Sequence, residues 1–295
     1  MNIAYLACDL TLPGARNRRS DAHEHDLMVA ALAPALAERG LALTAMAWDA
    51  PGVDWPARFS AAIIGTTWDY WDRHSAFLQR LAEIECQVPL FNPATLVRWN
   101  SRKTYLQALA RRGVPTIPTL WLDRVTEDGL ARACAAFETE EVVIKRQIGA
   151  GADGQYKLSL GAPVPSTDEM MMVQPFLQTI EREGEISFIF IDGALCHAVL
   201  KRPKSGDYRI QSLYGGTEDV IDPAPSDRED ADRVMAALDE TPLYARVDMV
   251  RGPDGGLLLM ELELIEPYLY PEQAPQLGER FAAALRARLQ RGAEP

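Results

Sequence analysis

The segment YARVDMVRGPDGGLLLMELELI, residues 244–265, consists of two strand-like runs on either side of a glycine-rich connection. Apolar and charged side chains alternate over most of each run, which is the pattern of a β-strand with one face on a core. The connection contains Asp254-Gly255, a dipeptide preferred in two-residue hairpin turns. The segment therefore predicts an antiparallel β-hairpin.

This turn fixes which side chains face each other across the hairpin. It places Asp248 opposite Glu261 and Arg246 opposite Glu263. A turn shifted by one residue pairs Asp248 with Glu263 instead and leaves the same side chains on one face. The other face is uniformly apolar, is predicted to pack on a core, and consists of Ala245, Val247, Met249, Met260, Leu262 and Leu264.

The charged face gathers three carboxylates, Asp248, Glu261 and Glu263, beside Arg246. Side chains opposed across two strands have Cβ atoms about 5 Å apart, and like charges at that distance repel. We therefore expect a cation among them, and oxygen-only ligands suit Mg²⁺ or Mn²⁺ bound together with substrate phosphates. The alternative is a solvated charged face on which Arg246 is a partial counter-ion.

A second candidate for chemistry is Lys145, at the end of the run Val142-Val143-Ile144-Lys145. A lysine among β-branched strand residues is unusual unless it faces a ligand, although an edge position is the alternative. Four residues later begins a glycine-rich loop, residues 149–154. Backbone amides approach phosphates closely only where side chains are small. The spacing therefore predicts a phosphate-binding strand and loop.

The first hundred residues alternate between strand-like and helix-like segments, which predicts a βαβ, Rossmann-like parallel sheet with helices on its faces. Ligands of such sheets gather where the strands end. Residues 66–73, with Trp68, Asp69 and Tyr70, follow one strand and are expected to form a binding lip there. A helix cap with packing aromatics is the alternative.

Composition excludes some classes of function. The chain has 295 residues and a net charge of -12, which argues against a general nucleic-acid binder because phosphate backbones require clustered Lys and Arg. No stretch approaches the roughly 20 apolar residues of a membrane span. The N-terminus has no basic start and is expected to be a first strand. The four cysteines are scattered without a CxxC motif, and we expect free thiols and a cytoplasmic setting.

The order of these features resembles the ATP-grasp superfamily, in particular its glutathione synthetase, RimK-like and D-alanine–D-alanine ligase branches. The match runs from about residue 100 to 266, while the first hundred residues match only in general architecture. The resemblance implies an α/β (α+β overall) ATP-grasp fold in three parts. These are an N-terminal α/β domain at 1–98, a central lid subdomain at 99–175, and a C-terminal mixed or antiparallel sheet subdomain at 176–295.

The resemblance also implies a set of ATP contacts. Lysines contact the phosphates, and a glycine-rich loop closes over them. A linker binds the adenine edge through its backbone, and an acidic residue accepts hydrogen bonds from the ribose hydroxyls. A plain strand glutamate is the alternative for that acid. In this order, the corresponding residues are Lys103, Lys145 and Lys201; Gly149, Gly151 and Gly154; Gln174, Phe176 and Leu177; and Glu185.

For the metal and the chemistry, the resemblance assigns Asp248, Glu261 and Glu263 to two Mg²⁺ ions, with Mn²⁺ as the alternative metal. Many relatives carry asparagine where this chain has Glu263, so the site is more negative. Arg209 and Arg246 would face the acyl phosphate and stabilise the developing oxyanion.

The function implied is a Mg-ATP-dependent ligase that activates a small amino-acid-like carboxylate as an acyl phosphate and joins it to an amine or similar nucleophile. The end of the hairpin and the segment Trp68-Asp69-Tyr70 resemble the subgroup that contains D-cycloserine synthetase, so intramolecular cyclisation and intermolecular ligation are both open. A homodimer is one option, because relatives are often dimers. Two rival functions are an ATP-binding module without ligase activity and a small-molecule kinase.

Overall fold

The computed structural model describes residues 1–149, 154–204 and 215–292. Within these ranges the chain forms three β-sheets, one in each of three successive stretches of sequence. Gly151 and Arg209, two of the predicted site residues, lie outside the described residues.

The first sheet is parallel, with the strand order β2-β1-β3-β4. This confirms the βαβ arrangement expected from the alternation of strand-like and helix-like segments. Its elements are β1 (Asn2–Ala7), α1 (Ala22–Glu38), β2 (Ala42–Ala47), α2 (Trp55–Arg58), β3 (Ala61–Ile64), α3 (His74–Glu85) and β4 (Leu90–Phe91).

Two short helices, α4 (Ala94–Asn100) and α5 (Tyr105–Arg111), connect the first sheet to the second. The sequence pattern over residues 100–113 alone predicts one continuous helix that ends at Gly113, and that prediction is wrong. The chain leaves the helix after Asn100, whose side chain donates to the Leu262 carbonyl at 2.9 Å and accepts from the Leu264 amide at 3.0 Å. These bonds to the hairpin outweigh the local helical pattern.

The second sheet is antiparallel, in the order β5-β8-β6-β7, and α6 packs against it. The helix begins after Thr126, whose hydroxyl accepts from the Gly129 amide at 3.0 Å as an N-cap. Its elements are β5 (Leu120–Leu122), α6 (Glu127–Phe137), β6 (Glu141–Arg146), β7 (Tyr156–Ser159) and β8 (Met171–Pro175).

The third sheet is antiparallel, in the order β11-β10-β9-β12-β13. Its first hairpin turns at Asp192-Gly193, where both residues have positive φ (50° and 79°), as a type I′ turn requires. The elements are α7 (Thr179–Arg182), β9 (Glu185–Ile191), β10 (Ala194–Arg202), β11 (Thr217–Ile221), α8 (Pro225–Ala236), β12 (Tyr244–Arg251), β13 (Leu257–Glu263) and α9 (Leu277–Arg291).

The hairpin of β12 and β13 has the predicted register at its charged end, where Arg246 pairs with Glu263 and Asp248 with Glu261. A β-bulge follows, and it shifts the register nearer the turn. As a result Leu257 and Leu259 reach the core at 1% and 0% exposure, whereas Met260 is only half-buried. The prediction that Met260 lies on the core face is therefore wrong.

The first and third sheets share one hydrophobic core. The second sheet has a core with α6, and its β8 also contributes Met172 to a further core built on the third sheet. Asn92 is fully buried and joins the first and third sheets. Its side-chain amide donates to the carbonyls of Tyr244 and Leu264 and accepts from the Leu243 backbone amide, at 2.7–3.0 Å. Within the described ranges, no helix is both long and apolar enough to cross a membrane.

Candidate active site

The centre of the site is the charged face of the β12–β13 hairpin, where Asp248, Glu261 and Glu263 (the hairpin carboxylates) surround Arg246. Asp248 is 2% exposed, and the Arg246 Nε donates to its two oxygens at 3.1 and 3.0 Å. Arg246 also pairs with Glu263. Although burial opposes it, the Arg246 charge lowers the pKa of Asp248 to about 2.

Glu263 has the opposite electrostatic behaviour. Burial raises its pKa to about 7, although the Arg246 charge lowers it. The pKa values of these two hairpin carboxylates therefore shift in opposite directions. Asp248 has Lys201 and Ser187 beside it in addition to Arg246, whereas the neighbouring carboxylates add to the effect of burial on Glu263. An additional cation would remove the excess negative charge.

Lys103 connects the hairpin with the glycine-rich loop. It lies in the break between α4 and α5, and its ammonium pairs with Glu261 and donates to the Gly149 carbonyl at 2.9 Å. Its backbone amide donates to the Gln147 carbonyl at 2.8 Å. Burial lowers the pKa of Lys103, but the Glu261 carboxylate outweighs it and the net shift is upward. The broken helix thus serves to place this lysine.

Lys145 lies on β6 and is half-buried. Among the described residues no carboxylate lies within ion-pair distance of its ammonium group. Burial lowers its pKa, and the nearby Lys103 charge adds to this although Glu261 opposes it. A half-buried ammonium with no anion beside it is suited to an anionic ligand such as a phosphate.

Glu185 and Lys201 face each other across β9 and β10, and both are buried. Lys201 also lies 3.5 Å from Asp248. Burial raises the pKa of Glu185 to about 7 against the lowering effect of Lys201. Its Oε2 is buried without a hydrogen-bond partner among the described residues. Such an oxygen can accept hydrogen bonds from a ligand hydroxyl group.

The linker residues Gln174, Phe176 and Leu177 follow at the end of β8. The Gln174 side chain is buried and donates to the Thr119 hydroxyl at 3.0 Å. The Phe176 amide donates to the Glu141 carbonyl at 3.0 Å, and Leu177 is half-buried. The side chain of Gln174 therefore supports the fold, and any contact of this linker with a ligand would come from the backbone.

Glycine is favoured at the far end of the glycine-rich loop. Gly154 has φ 67°, and a Cβ atom there would lie 2.4 Å from the Arg146 Nε. The backbone conformation disfavours other residues, and the Arg146 side chain would have to move to make room for a Cβ atom.

The binding lip proposed from residues 66–73 is mostly engaged in the fold. Asp69 accepts from the Trp48 indole at 2.8 Å and pairs with Arg73. Trp68 and Tyr70 are buried, and the Trp68 indole donates to the Glu266 carbonyl at 3.0 Å. Asp69 is therefore a structural residue, while Trp68 and Tyr70 pack against the end of the hairpin.

Three residues near the centre were missed by the sequence analysis. Ser187 donates to Asp248, and the Tyr270 ring lies 5.9 Å from the Lys201 ammonium and 5.7 Å from the Arg246 guanidinium. Glu266 is a further buried carboxylate. For Ser187, its position in the run Glu185-Ile186-Ser187 on a strand paired with β12 was the available signal. The strand alternation that flagged Glu261 and Glu263 ends before Glu266.

Within the described ranges, no three Asp, Glu, His or Cys side chains are already arranged to hold a metal ion. The reason is that Arg246 and Lys103 occupy the hairpin carboxylates. Glu261 and Glu263 nevertheless keep 24% and 22% of their side chains exposed. The donor set fits Mg²⁺, which is bound by one or two carboxylates together with substrate phosphates and water.

Comparison with known proteins gave matches over the whole chain. The family described as D-cycloserine synthetase DcsG, N-terminal domain, matches residues 3–92, so sequence similarity extends into the first hundred residues. The cycloserine biosynthesis protein DcsG of Streptomyces lavendulae is 31% identical over 82% of this chain and 87% of that protein.

Two solved structures extend the comparison. The crystal structure of D-cycloserine synthetase DcsG has a TM-score of 0.83 at 27% identity and covers 98% of this chain and 100% of that chain. The ATP-grasp ligase PsnB, solved with a minimal precursor, Mg and ADP, has a TM-score of 0.63 at 16% identity over 98% of both chains.

Proposed function

This chain belongs to the ATP-grasp ligases, in the group of the cycloserine biosynthesis protein DcsG, and we propose that its hairpin carboxylates, Arg246 and three lysines form the catalytic centre. The chain joins a carboxylate to an amine or similar nucleophile through an acyl phosphate, with release of ADP and phosphate. The observation that carries the assignment of the site is the β12–β13 register, which brings the hairpin carboxylates to one face beside Lys103.

In the proposed ATP site, Lys103, Lys145 and Lys201 contact the phosphates. Lys145 supports this most directly, because no carboxylate among the described residues pairs with it. Glu185 would accept the ribose hydroxyls through its unpaired Oε2. The backbone of residues 174–177 would hold the adenine edge, and the glycines at 149, 151 and 154 would let the loop close over the phosphates.

The ion pair of Lys103 with Glu261 gives this site a simple coupling between nucleotide and metal. A bound phosphate group would compete with Glu261 for the Lys103 ammonium and would leave the Glu261 carboxylate available to hold a metal ion. Magnesium, when bound, would neutralise the phosphate charge and orient the transferred group. We propose two Mg²⁺ ions, with Mn²⁺ as a substitute, held by the hairpin carboxylates.

Arg246 is proposed to stabilise the oxyanion that develops as the acyl phosphate reacts, together with Arg209. Arg246 is well held for this role, since its guanidinium is fixed by Asp248, by Glu263 and by the Tyr268 carbonyl at 3.2 Å. An arginine fixed before the reaction loses little reorganisation energy in the transition state. No covalent enzyme nucleophile is needed.

The substrate is proposed to be a small amino-acid derivative that lies between the hairpin and the end of the first sheet. The name of the DcsG relative and the position of Trp68 and Tyr70 support this. We further propose a cytoplasmic enzyme that acts without nucleic acid, as the net charge of -12 supports, with a homodimer as its assembly. The three parts of the chain are proposed to divide near residues 98 and 175.

Activity is tested by incubating the protein with ATP, Mg²⁺ and a panel of amino acids of both configurations. Release of ADP and phosphate together with a new amide, detected by mass spectrometry, is the expected result. A product lighter than one substrate by one water indicates cyclisation, and a product joining two substrates indicates ligation. A stable phosphorylated product would identify a kinase, and ATP binding without turnover across the panel would identify a binding module.

A further inference from the structure

Glu266 is a buried carboxylate that forms no ion pair or side-chain hydrogen bond with another described residue. It is 7% exposed. Its backbone carbonyl accepts from the Trp68 indole at 3.0 Å, but no hydrogen-bond donor or cation of the described residues contacts its carboxylate. A buried carboxylate is costly unless it is paired or protonated.

The other carboxylates of the site are paired. Arg246 contacts Asp248 and Glu263, and Lys103 pairs with Glu261. The charged groups that shift the pKa of Glu266 most are the hairpin carboxylates Glu263 and Glu261, which raise it, and the cations Lys103 and Arg246, which lower it. Glu266 therefore belongs electrostatically to the same centre, and it is the member of that centre without a cation of its own.

The position of Glu266 is fixed from two sides. The Trp68 indole holds its carbonyl from the first sheet. One residue earlier, the Tyr244 hydroxyl donates to the Ile265 carbonyl at 2.9 Å and lies 2.7 Å from the Ile64 carbonyl at the end of β3. The backbone of Glu266 thus lies between the β12–β13 hairpin and the end of the first sheet, where the proposed function puts the substrate.

The surroundings of Glu266 favour an organic cation over a metal ion. Tyr70 is 95% buried. Burial raises the pKa of its hydroxyl, and among the charged groups Glu266 raises this pKa most. An aromatic ring beside an unpaired carboxylate suits an ammonium group, whereas Mg²⁺ requires several oxygen ligands at once. Those ligands are already available in the hairpin carboxylates and the phosphates of ATP.

We propose that Glu266 binds the ammonium group of an amino-acid substrate and so selects amino acids over their hydroxy-acid analogues. This rests on the proposed function, since it names the substrate group recognised at the same site. The ion pair compensates the buried carboxylate only when substrate is present. Glu266 is thus a specificity-determining residue rather than a ligand of the nucleotide or the metal.

The test compares Glu266→Gln with Glu272→Gln, which removes the same charge from an exposed position six residues away. Calorimetry with ADP and Mg²⁺ present measures the binding of alanine and serine, both enantiomers of each, and of lactate, which has a hydroxyl in place of the ammonium. Wild type should bind at least one amino acid, and lactate more weakly by about tenfold or more. Glu266→Gln should weaken the amino acid to the level of lactate, and Glu272→Gln should not.

The affinity for ADP with Mg²⁺ should stay within about twofold in both variants. Equal binding of lactate and amino acid by wild type, binding of none of the four amino acids, or unchanged amino-acid affinity in Glu266→Gln would each overturn the proposal. A loss of Mg²⁺-dependent ADP binding in Glu266→Gln would make it a metal ligand instead. If Glu266→Gln does not fold, two measurements replace it. These are the binding of lactate and amino acids by wild type, and the binding of amino acids by Glu266→Asp, which retains the charge. Failure of wild type to bind ADP with Mg²⁺ would contradict the proposed function itself.

Discussion

Lys145 differs from the other two lysines of the site in its electrostatic environment. Lys103 pairs with Glu261 and Lys201 with Glu185, but no carboxylate among the described residues pairs with Lys145. Its charge therefore contributes little to the stability of the folded protein without ligand, and burial lowers its pKa. A group that is costly to keep charged in the free protein is well suited to a phosphate ligand.

We predict that Lys145→Ala lowers ATP affinity by about tenfold or more, because a charge-assisted contact to phosphate is lost. The free energy of unfolding should change by less than about 1 kcal/mol, since the variant breaks no ion pair within the described part of the chain. Calorimetric titration and urea unfolding measure the two quantities. Arg124→Ala, at an exposed ion pair before α6, is the matched control and should leave ATP affinity unchanged. Unchanged affinity in Lys145→Ala would place this lysine outside the nucleotide site.

His197 on β10 gives the protein a pH-dependent stability that is separate from the site. Burial lowers its pKa from 6.5 to about 4. Between these values the unfolded chain binds a proton and the folded chain does not, so the free energy of unfolding decreases as the pH falls through this window. The loss between pH 7 and pH 5 attributable to this residue is about 2 kcal/mol.

In His197→Gln this part of the pH dependence should be absent. Urea unfolding at pH 5 and pH 7 gives the change in the free energy of unfolding between the two pH values. This change is compared between the variant and wild type. His23→Gln removes an exposed histidine and should retain the wild-type slope. An equal decrease in wild type and His197→Gln would show that other groups cause the pH dependence.

At the scale of elements, the β12–β13 hairpin was predictable because its sequence contains both the alternation and the turn. Arg246 and Asp248 lie opposite Glu263 and Glu261, as the pattern indicated. The bulge that moves Met260 off the core was not predictable, since an extra residue in one strand depends on how the sheet twists over its core. Glu266 escaped prediction for a related reason: β13 ends at Glu263, and periodicity says nothing about a side chain beyond the strand.

The two faces of β13 should respond in opposite ways to the same kind of substitution. Glu261→Gln removes an anionic ligand but keeps a hydrogen-bond acceptor for Lys103. The free energy of unfolding without metal should therefore change by less than about 1 kcal/mol. ATP-dependent turnover should fall by orders of magnitude, and Mg²⁺ should no longer raise the melting temperature in the presence of ADP. Asp248→Asn should lose turnover in the same way, but it should also lower the free energy of unfolding, because it removes a buried charge that pairs with Arg246 and Lys201.

The control on the opposite face is Leu262→Gln. Leu262 is 1% exposed, so an unpaired amide in its place should lower the free energy of unfolding by about 2–4 kcal/mol. The folded fraction of this variant should still respond to Mg²⁺ and ADP. Wild-type turnover in Glu261→Gln would mean that the charged face is merely solvated, and the metal assignment would then be wrong.

In the whole molecule, the second sheet is the part with the fewest ties to the rest. The first and third sheets share a core that includes Ile189, Tyr244 and Phe281, and Asn92 joins them with three buried hydrogen bonds. The second sheet and α6 have a core of their own, and Met172 is the fully buried residue that β8 adds to the core of the third sheet. One of its links to the centre is the bond from Lys103 to the Gly149 carbonyl, which lies at the glycine-rich loop.

We therefore predict that the second sheet opens at a lower free energy than the shared core, and that nucleotide closes it. Hydrogen exchange followed by mass spectrometry should show faster exchange in β5 to β8 than in β9 and β12, because the stability of a region follows its buried contacts. ADP with Mg²⁺ should slow exchange in β6 and β8, since Lys145 on β6 and Lys103 at the centre would then contact the same phosphates. Lys145→Ala should lose much of this slowing while its exchange without nucleotide stays at the wild-type level. Equal protection of the two regions would contradict the separate opening. Slowing that survives in Lys145→Ala would mean that closure depends on other contacts than the lysine of β6.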